Sequence, residues 1–134
     1  MGQRQVVVAA IIERGGRVLV SQRGPGVGHP GRWEFPGGKR EPGESLERCL
    51  ERELDEELGI TVRVGRRVWT TRHQYPGRAP VELHFFLVHA DGQTLQNHTF
   101  ADVRWIPIGE LSQLDFLDAD RPLVERLDRG EIRT

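Results

Sequence analysis

Between Gly38 and Ile60 the chain reads GKREPGESLERCLERELDEELGI, the densest set of groups in it able to do chemistry. Ser45 is a helix N-cap type and Gly59 a left-handed stop, so the pattern predicts a helix over about Leu46 to Leu58. Glu53, Glu56 and Glu57 stand three and four apart on it, which gathers their carboxylates on one face. At about 100° per residue, Glu53 and Glu57 share the stripe of Leu46 and Leu50, with Glu56 along the edge that holds Cys49. Arg48, Glu51 and Asp55 project the other way, toward water. The inward stripe begins apolar and ends acidic.

Carboxylates turned toward a protein body repel one another and lose hydration unless cations compensate them. Hard divalent ions such as Mg²⁺, with Mn²⁺ as an alternative, take oxygen ligands and supply that charge. Arg52 can orient a carboxylate, but one guanidinium does not balance three. A solvated, charge-rich surface is the usual fate of a glutamate cluster, and placement on the inward stripe argues against it.

Several elements must hold this helix. Val6 to Ile12 is almost continuously apolar, as a central strand buried on both faces would be, and Gly15-Gly16 turns it into a second strand over Arg17 to Gln22. Arg23 to Arg32, rich in Gly and Pro and carrying His29, reads as a loop able to move over a ligand. The glycines of Trp33-Glu34-Phe35-Pro36-Gly37-Gly38 let the main chain approach a metal or phosphate. Thr61 to Arg72 and Pro80 to Ala90 read as strands joined around Tyr75-Pro76-Gly77. Asp102 to Ile106 reads as a short strand, Ile108 to Leu111 as a helical turn, and Asp120 to Leu127 as a last helix with Pro122 in its first turn. One mixed sheet flanked by helices buries these elements.

Length and composition set the frame. At 134 residues with 37% hydrophobic content, the chain suits a single domain with one core. A net charge of -1 gives no broad footprint for nucleic acid or an anionic membrane. The single cysteine, Cys49, forms no internal disulfide and reads as a small core residue, which suggests a reducing, cytoplasmic setting. The apolar run at Val6 is too short for a membrane span and lacks a cleavage pattern after it. His73 and His84, in expected strands, read as structural, as do Trp69 and Trp105, and His98 reads as a loop histidine.

The segment from 38 to 60 resembles the Nudix box, and it matches that pattern at Gly38, Glu44, Arg52, Glu53, Leu54, Glu56, Glu57, Gly59 and Ile60 without departure. Membership of this family implies an α/β fold, the Nudix-type α/β/α sandwich with a mixed β-sheet. Oxygen-ligated Mg²⁺ polarises a phosphoryl group and neutralises a leaving pyrophosphate, so the chemistry implied is phosphoanhydride hydrolysis. Carried over position by position, the box implies Glu53, Glu56 and Glu57 as metal ligands, the Gly37 carbonyl as a further ligand, Glu53 or a neighbour as base, and Glu44 and Arg52 in supporting contacts.

Beyond the box the chain is similar to the MutT and CTP pyrophosphohydrolase branch, at Arg23, Phe35 to Lys39, Tyr75 to Arg78 and Ala119 to Pro122. Arg23 and Lys39 suit phosphate, while Phe35 and Arg78 suit stacking on a base. MutT has Asn where Asp120 aligns; an ionised Asp only accepts, which favours a base edge presenting an amino group unless the acid is protonated. The other reading of Asp120 is an N-cap for the last helix. Thr99, with His98 and Asp102 nearby, aligns where some relatives place a loop glutamate. The resemblance implies a Mg²⁺-dependent hydrolase of ordinary, oxidised or methylated nucleoside triphosphates that works as a monomer or homodimer. Hydrolysis of a dinucleotide or nucleotide sugar, and a regulatory module that binds nucleotides without turnover, are the alternatives.

Overall fold

The computed structural model describes residues 4–134. Its strands are β1 (Gln5–Arg14), β2 (Arg17–Gln22), β3 (Trp33–Glu34), β4 (Gly37–Lys39), β5 (Arg63–His73), β6 (Val81–His89) and β7 (Asp102–Pro107), with helices α1 (Leu46–Leu58) and α2 (Arg121–Asp128). Short 3-10 turns at Leu111–Gln113 and Asp118–Asp120 precede α2. The helical turn expected at Ile108 to Leu111 thus falls slightly later, and α2 begins one residue after Asp120.

Alternation along β1 explains why its apolar run is nearly unbroken. Val8, Ala10 and Ile12 pack with Cys49, Leu50, Leu54 and Leu58 of α1, while Ala9 and Ile11 pack with Leu123, Val124 and Leu127 of α2. A strand covered by helices on both faces needs apolar side chains at every step. The sheet is therefore the middle layer of an α/β/α arrangement.

The hairpin expected for β1 and β2 is present but brief. It pairs Glu13 with Val18 and Arg14 with Arg17, and the strands then part. β1 takes β6 in parallel from Gln5↔Val81 to Ile12↔Val88, and β4 antiparallel. β2 instead takes β3 and β7, so the seven-stranded sheet divides into two branches. Residues 34–37 cross from one branch to the other, tied midway by Ala10 N–H donating to the Pro36 carbonyl at 2.8 Å. That crossing carries the site. Strands of two and three residues at 33–39 were not expected, since so short a run shows no period.

Asp128 fastens the end of α2 to the preceding turn. Its Oδ1 accepts N–H bonds from Gly109 at 2.8 Å and Leu111 at 3.1 Å, and its Oδ2 accepts the N–H and hydroxyl of Ser112. Burial acts to raise its pKa, but the donors of Ser112, Gly109 and Leu111 outweigh it and hold the carboxyl below its ordinary value. Asp128→Asn is expected to remove about 1–2 kcal/mol at neutral pH. Because the folded pKa is depressed, that advantage over the variant is complete above the unfolded carboxylate pKa and fades as pH falls through the lower folded one. Urea titrations of both proteins near neutrality and in acid check it; a gap that persists in acid would refute the assignment.

Candidate active site

The acidic end of α1 faces the two glycines of β4. Ser45 Oγ accepts the Arg48 N–H at 3.1 Å and Gly59, at φ 65°, donates to the Asp55 carbonyl, so the expected caps fix both helix ends. The Glu53 carboxylate lies directly on Gly38, where a Cβ would stand 2.4 Å from its carboxyl carbon. Glu57 and Gly37 line the same cavity. A Cβ on Gly37 would stand 2.0 Å from the Val8 carbonyl oxygen.

The two glycines therefore fail differently when given a methyl group. Gly37→Ala meets rigid main chain and is expected to lower Tm sharply. Gly38→Ala meets the far end of a flexible side chain, so the fold survives while the Glu53 carboxylate is displaced, with turnover down about fivefold. Thermal melts beside turnover measurements separate them. Equal Tm losses would contradict the cradle.

Arg52 organises the carboxylates around it. Its Nε and Nη2 donate to Glu44 at 2.7 and 2.9 Å, and its Nη1 donates to Glu53 Oε1 at 3.0 Å and Glu56 Oε2 at 3.4 Å. The guanidinium hydrogen bonds, with the Glu41 N–H, hold Glu44 down at about 2. Burial raises Glu53, and burial with the charges of Glu53 and Glu34 pushes Glu57 up to about 9. Cys49, buried and beside Glu44, is pushed up to about 12, which leaves no thiolate and agrees with a core role.

Among the described residues, no three carboxylate, imidazole or thiol groups converge on one ligating point. Arg52 holds Glu53 and Glu56, and Glu56 is 58% exposed. Even so, the donors suit a hard cation. Glu57 Oε1 is buried without a hydrogen-bond partner, a defect a divalent ion removes.

A cavity of about 660 Å³ is lined by Gly38, Lys39 and Glu57 together with Leu117, Ala119 and Asp120. Arg23, His29, Tyr75 and Arg78 also wall it. Asp120 is only 3% exposed. Burial, then the neighbouring Glu34 charge, pushes its carboxyl up to about 8, against the opposing pull of the Phe35 main-chain N–H. The capping expectation changes. No side-chain cap bond joins Asp120 to α2, and burial favours its protonated form, which both donates and accepts.

Phe35 is among the residues that line the cavity, yet its ring is only 3% exposed and packs against Phe85 at 6.1 Å and Phe116 at 5.3 Å, so most of it is held in the core. Arg23 lies in the cavity wall, but its Nη1 donates to both oxygens of Glu34 at 3.0 and 3.1 Å, which matches its charge inside the wall. Lys39 and Arg78 line the cavity as expected. Glu34 itself was missed, since a lone glutamate between Trp33 and Phe35 carries no spacing signal.

The loop over 23–32 is tethered at two points in this structure. Arg23 Nε–H donates to the Gly28 carbonyl, and His29 stacks on Tyr75 at 4.5 Å, with His73 on the same ring at 4.3 Å. Tyr75 Oη accepts the Ala119 N–H at 3.2 Å, linking this stack to the Asp120 end.

A second missed feature is the cap on α1. Gln96 N–H donates to the Leu58 carbonyl, His98 N–H to the Glu57 carbonyl and His98 Nδ1–H to the Glu56 carbonyl, at 2.9, 3.0 and 3.2 Å. The same loop brings Thr99 and Phe100 to the cavity. Asp102 instead pairs with Arg104 at 2.8 Å. His84 is structural: Arg67 only donates, so Nδ1 accepts from it at 3.1 Å and Nε2–H donates to Glu82.

A sheet split at β1 and β2, with a box helix laid against paired glycines at the crossing, defines the Nudix fold. The sequence profile of the NUDIX domain matches residues 2–127, and the chain belongs to this family as a Nudix hydrolase. Among named relatives, CTP pyrophosphohydrolase of Escherichia coli (strain K12) is 44% identical over 119 residues, covering 89% of this chain and 87% of that one. Putative 8-oxo-dGTP diphosphatase 2 of Mycobacterium tuberculosis is 38% identical over 128 residues, covering 93% and 89%. The crystal structure of a MutT protein from Methanosarcina mazei Go1 superposes with a TM-score of 0.86 over 98% of each chain at 23% identity, which establishes the shared fold alone. No helix among the described residues is long and apolar enough to cross a membrane.

Proposed function

We propose that this protein is a Mg²⁺-dependent nucleoside triphosphate pyrophosphohydrolase, with Mn²⁺ as a substitute, that releases a nucleoside monophosphate and pyrophosphate. The observation that carries the reading is a nucleotide-sized cavity lined both by Glu57, which has a partnerless carboxylate oxygen, and by the buried acid Asp120. The relatives named for CTP and 8-oxo-dGTP support a nucleotide of this kind.

Glu53, Glu56, Glu57 and the Gly37 carbonyl would hold the metal. When bound, the ion supplies Lewis-acid polarisation of the phosphoryl group and charge for the leaving pyrophosphate. Arg52 anchors Glu44 and holds Glu53 in place. Glu53, whose burial raises its basicity, is the candidate to take a proton from attacking water. Lys39 contacts phosphate, Arg78 stacks on the base, Arg23 works through its pair with Glu34, and Asp120 meets the base edge.

Incubation of the purified protein with a nucleotide panel and Mg²⁺ tests the proposal. Metal-dependent pyrophosphate from at least one ribo- or deoxyribonucleoside triphosphate is expected. No such release from any of them rejects it.

A further inference from the structure

Arg32 ends the loop whose Arg23, Gly28 and His29 wall the cavity, and its guanidinium reaches the separate segment that carries Asp120. Its Nη1–H donates to the Phe116 carbonyl at 3.0 Å, its Nε stands 3.3 Å from Asp115 Oδ2, and its Nη1 stands 3.5 Å from Asp118 Oδ1. Alongside, the main chains are stitched: Trp33 N–H donates to the Asp115 carbonyl and Leu117 N–H to the Trp33 carbonyl, both at 2.9 Å. Farther along the two stitched segments, Phe35 and Asp120 both reach the cavity lining. Arg32 fixes the outer end of a seam whose inner end is the base-edge acid.

We propose that Arg32 is a positioning residue for nucleotide specificity. By clamping residues 115–120 against residues 32–35, it sets where Asp120 meets a base, and so governs the ranking of nucleotides while leaving cleavage of the phosphoanhydride to the carboxylates of α1. This rests on the reading of Asp120 given above. A planar fork suits the task, because it grips a carboxylate and a carbonyl together, which the point charge of a lysine does not.

Arg121 provides an internal control. It pairs with the same two aspartates, at 2.9 Å to Asp115 and 3.4 Å to Asp118. Arg121 is the first residue of α2, so it braces the segment against its own helix and does not bridge to residues 32–35.

The experiment measures kcat/KM for the common ribo- and deoxyribonucleoside triphosphates with Arg32→Ala, Arg32→Lys, Arg121→Ala and the parent. Arg32→Ala is expected to compress the ratio between best and worst substrates by about fivefold or more, with kcat on the best substrate within about threefold of the parent. Arg32→Lys should fall between, and Arg121→Ala should keep the parental ratio. Since each ratio compares two substrates on one preparation, partial unfolding cancels from it. An equal fall in kcat/KM for every nucleotide, or the same compression in Arg121→Ala, overturns the proposal. A parent that hydrolyses no nucleotide rejects the functional reading itself, whereas an active parent with unchanged ratios in the Arg32 variants rejects only the role of Arg32.

Discussion

Replacing Glu57 by Gln is expected to lower turnover by at least about a hundredfold, with Glu53→Gln close behind, while the fold stays intact. Glutamine keeps the shape of the side chain but cannot supply negative charge to a cation. Without metal the native Glu57 sits where burial and the Glu53 and Glu34 charges favour its protonated form, so a neutral amide fits that site without penalty. The matching measurement is Tm with and without a divalent ion. A ligand that binds only the folded state raises Tm, so the parent should gain from Mg²⁺ or Mn²⁺ and the variants should gain less. Turnover near the parental level in either variant would sink the metal-site assignment.

Asp120 is expected to make nucleotide ranking depend on pH. Below about 8 its carboxyl holds a proton, so it donates through the hydroxyl and accepts through the carbonyl, as an asparagine amide does. Above that value it only accepts, and it repels a carbonyl oxygen presented by a guanine-type edge. A buried mismatch of this kind costs about 1–3 kcal/mol, enough to change relative kcat/KM by about tenfold or more. The parent should therefore turn away from guanine-type and toward cytosine- or adenine-type substrates as pH rises from about 7 to about 9, across the shifted pKa. Asp120→Asn has no proton to lose there, so its ranking should stay flat and match that of the parent at the lower pH. A permanently ionised aspartate would instead make the two proteins differ at every pH. If the parental ranking does not move, or the variant moves with it, Asp120 does not read the base.

The local features of the site were legible because they follow from covalent spacing. Ser45 and Gly59 fix the ends of α1, and helical geometry alone then puts Glu53 and Glu57 beside Leu50 on the buried stripe. The two-faced burial of β1 was equally readable, since a short unbroken apolar run that ends at a Gly-Gly turn suits a strand covered on both sides. The Nudix resemblance rested on the same local residues, and the family match agrees with it.

What tertiary structure decided were properties that depend on neighbours distant in the chain. The parting of β1 and β2 after two residue pairs makes residues 34–37 a bridge, and no local pattern announces where two strands will separate. Phe35 became a core ring because Phe85 and Phe116 come to it from β6 and the segment before α2. Between the ionised and protonated forms of Asp120 that the sequence left open, burial and the Glu34 charge favour the protonated one, because solvation is a property of the folded volume. Arg23 lost its free charge to Glu34, and the end of α1 gained its cap from Gln96 and His98, through contacts that sequence separation conceals. Sequence by itself determined which residues carry charge and which way a helix turns them; packing determined which charges survive and what they face.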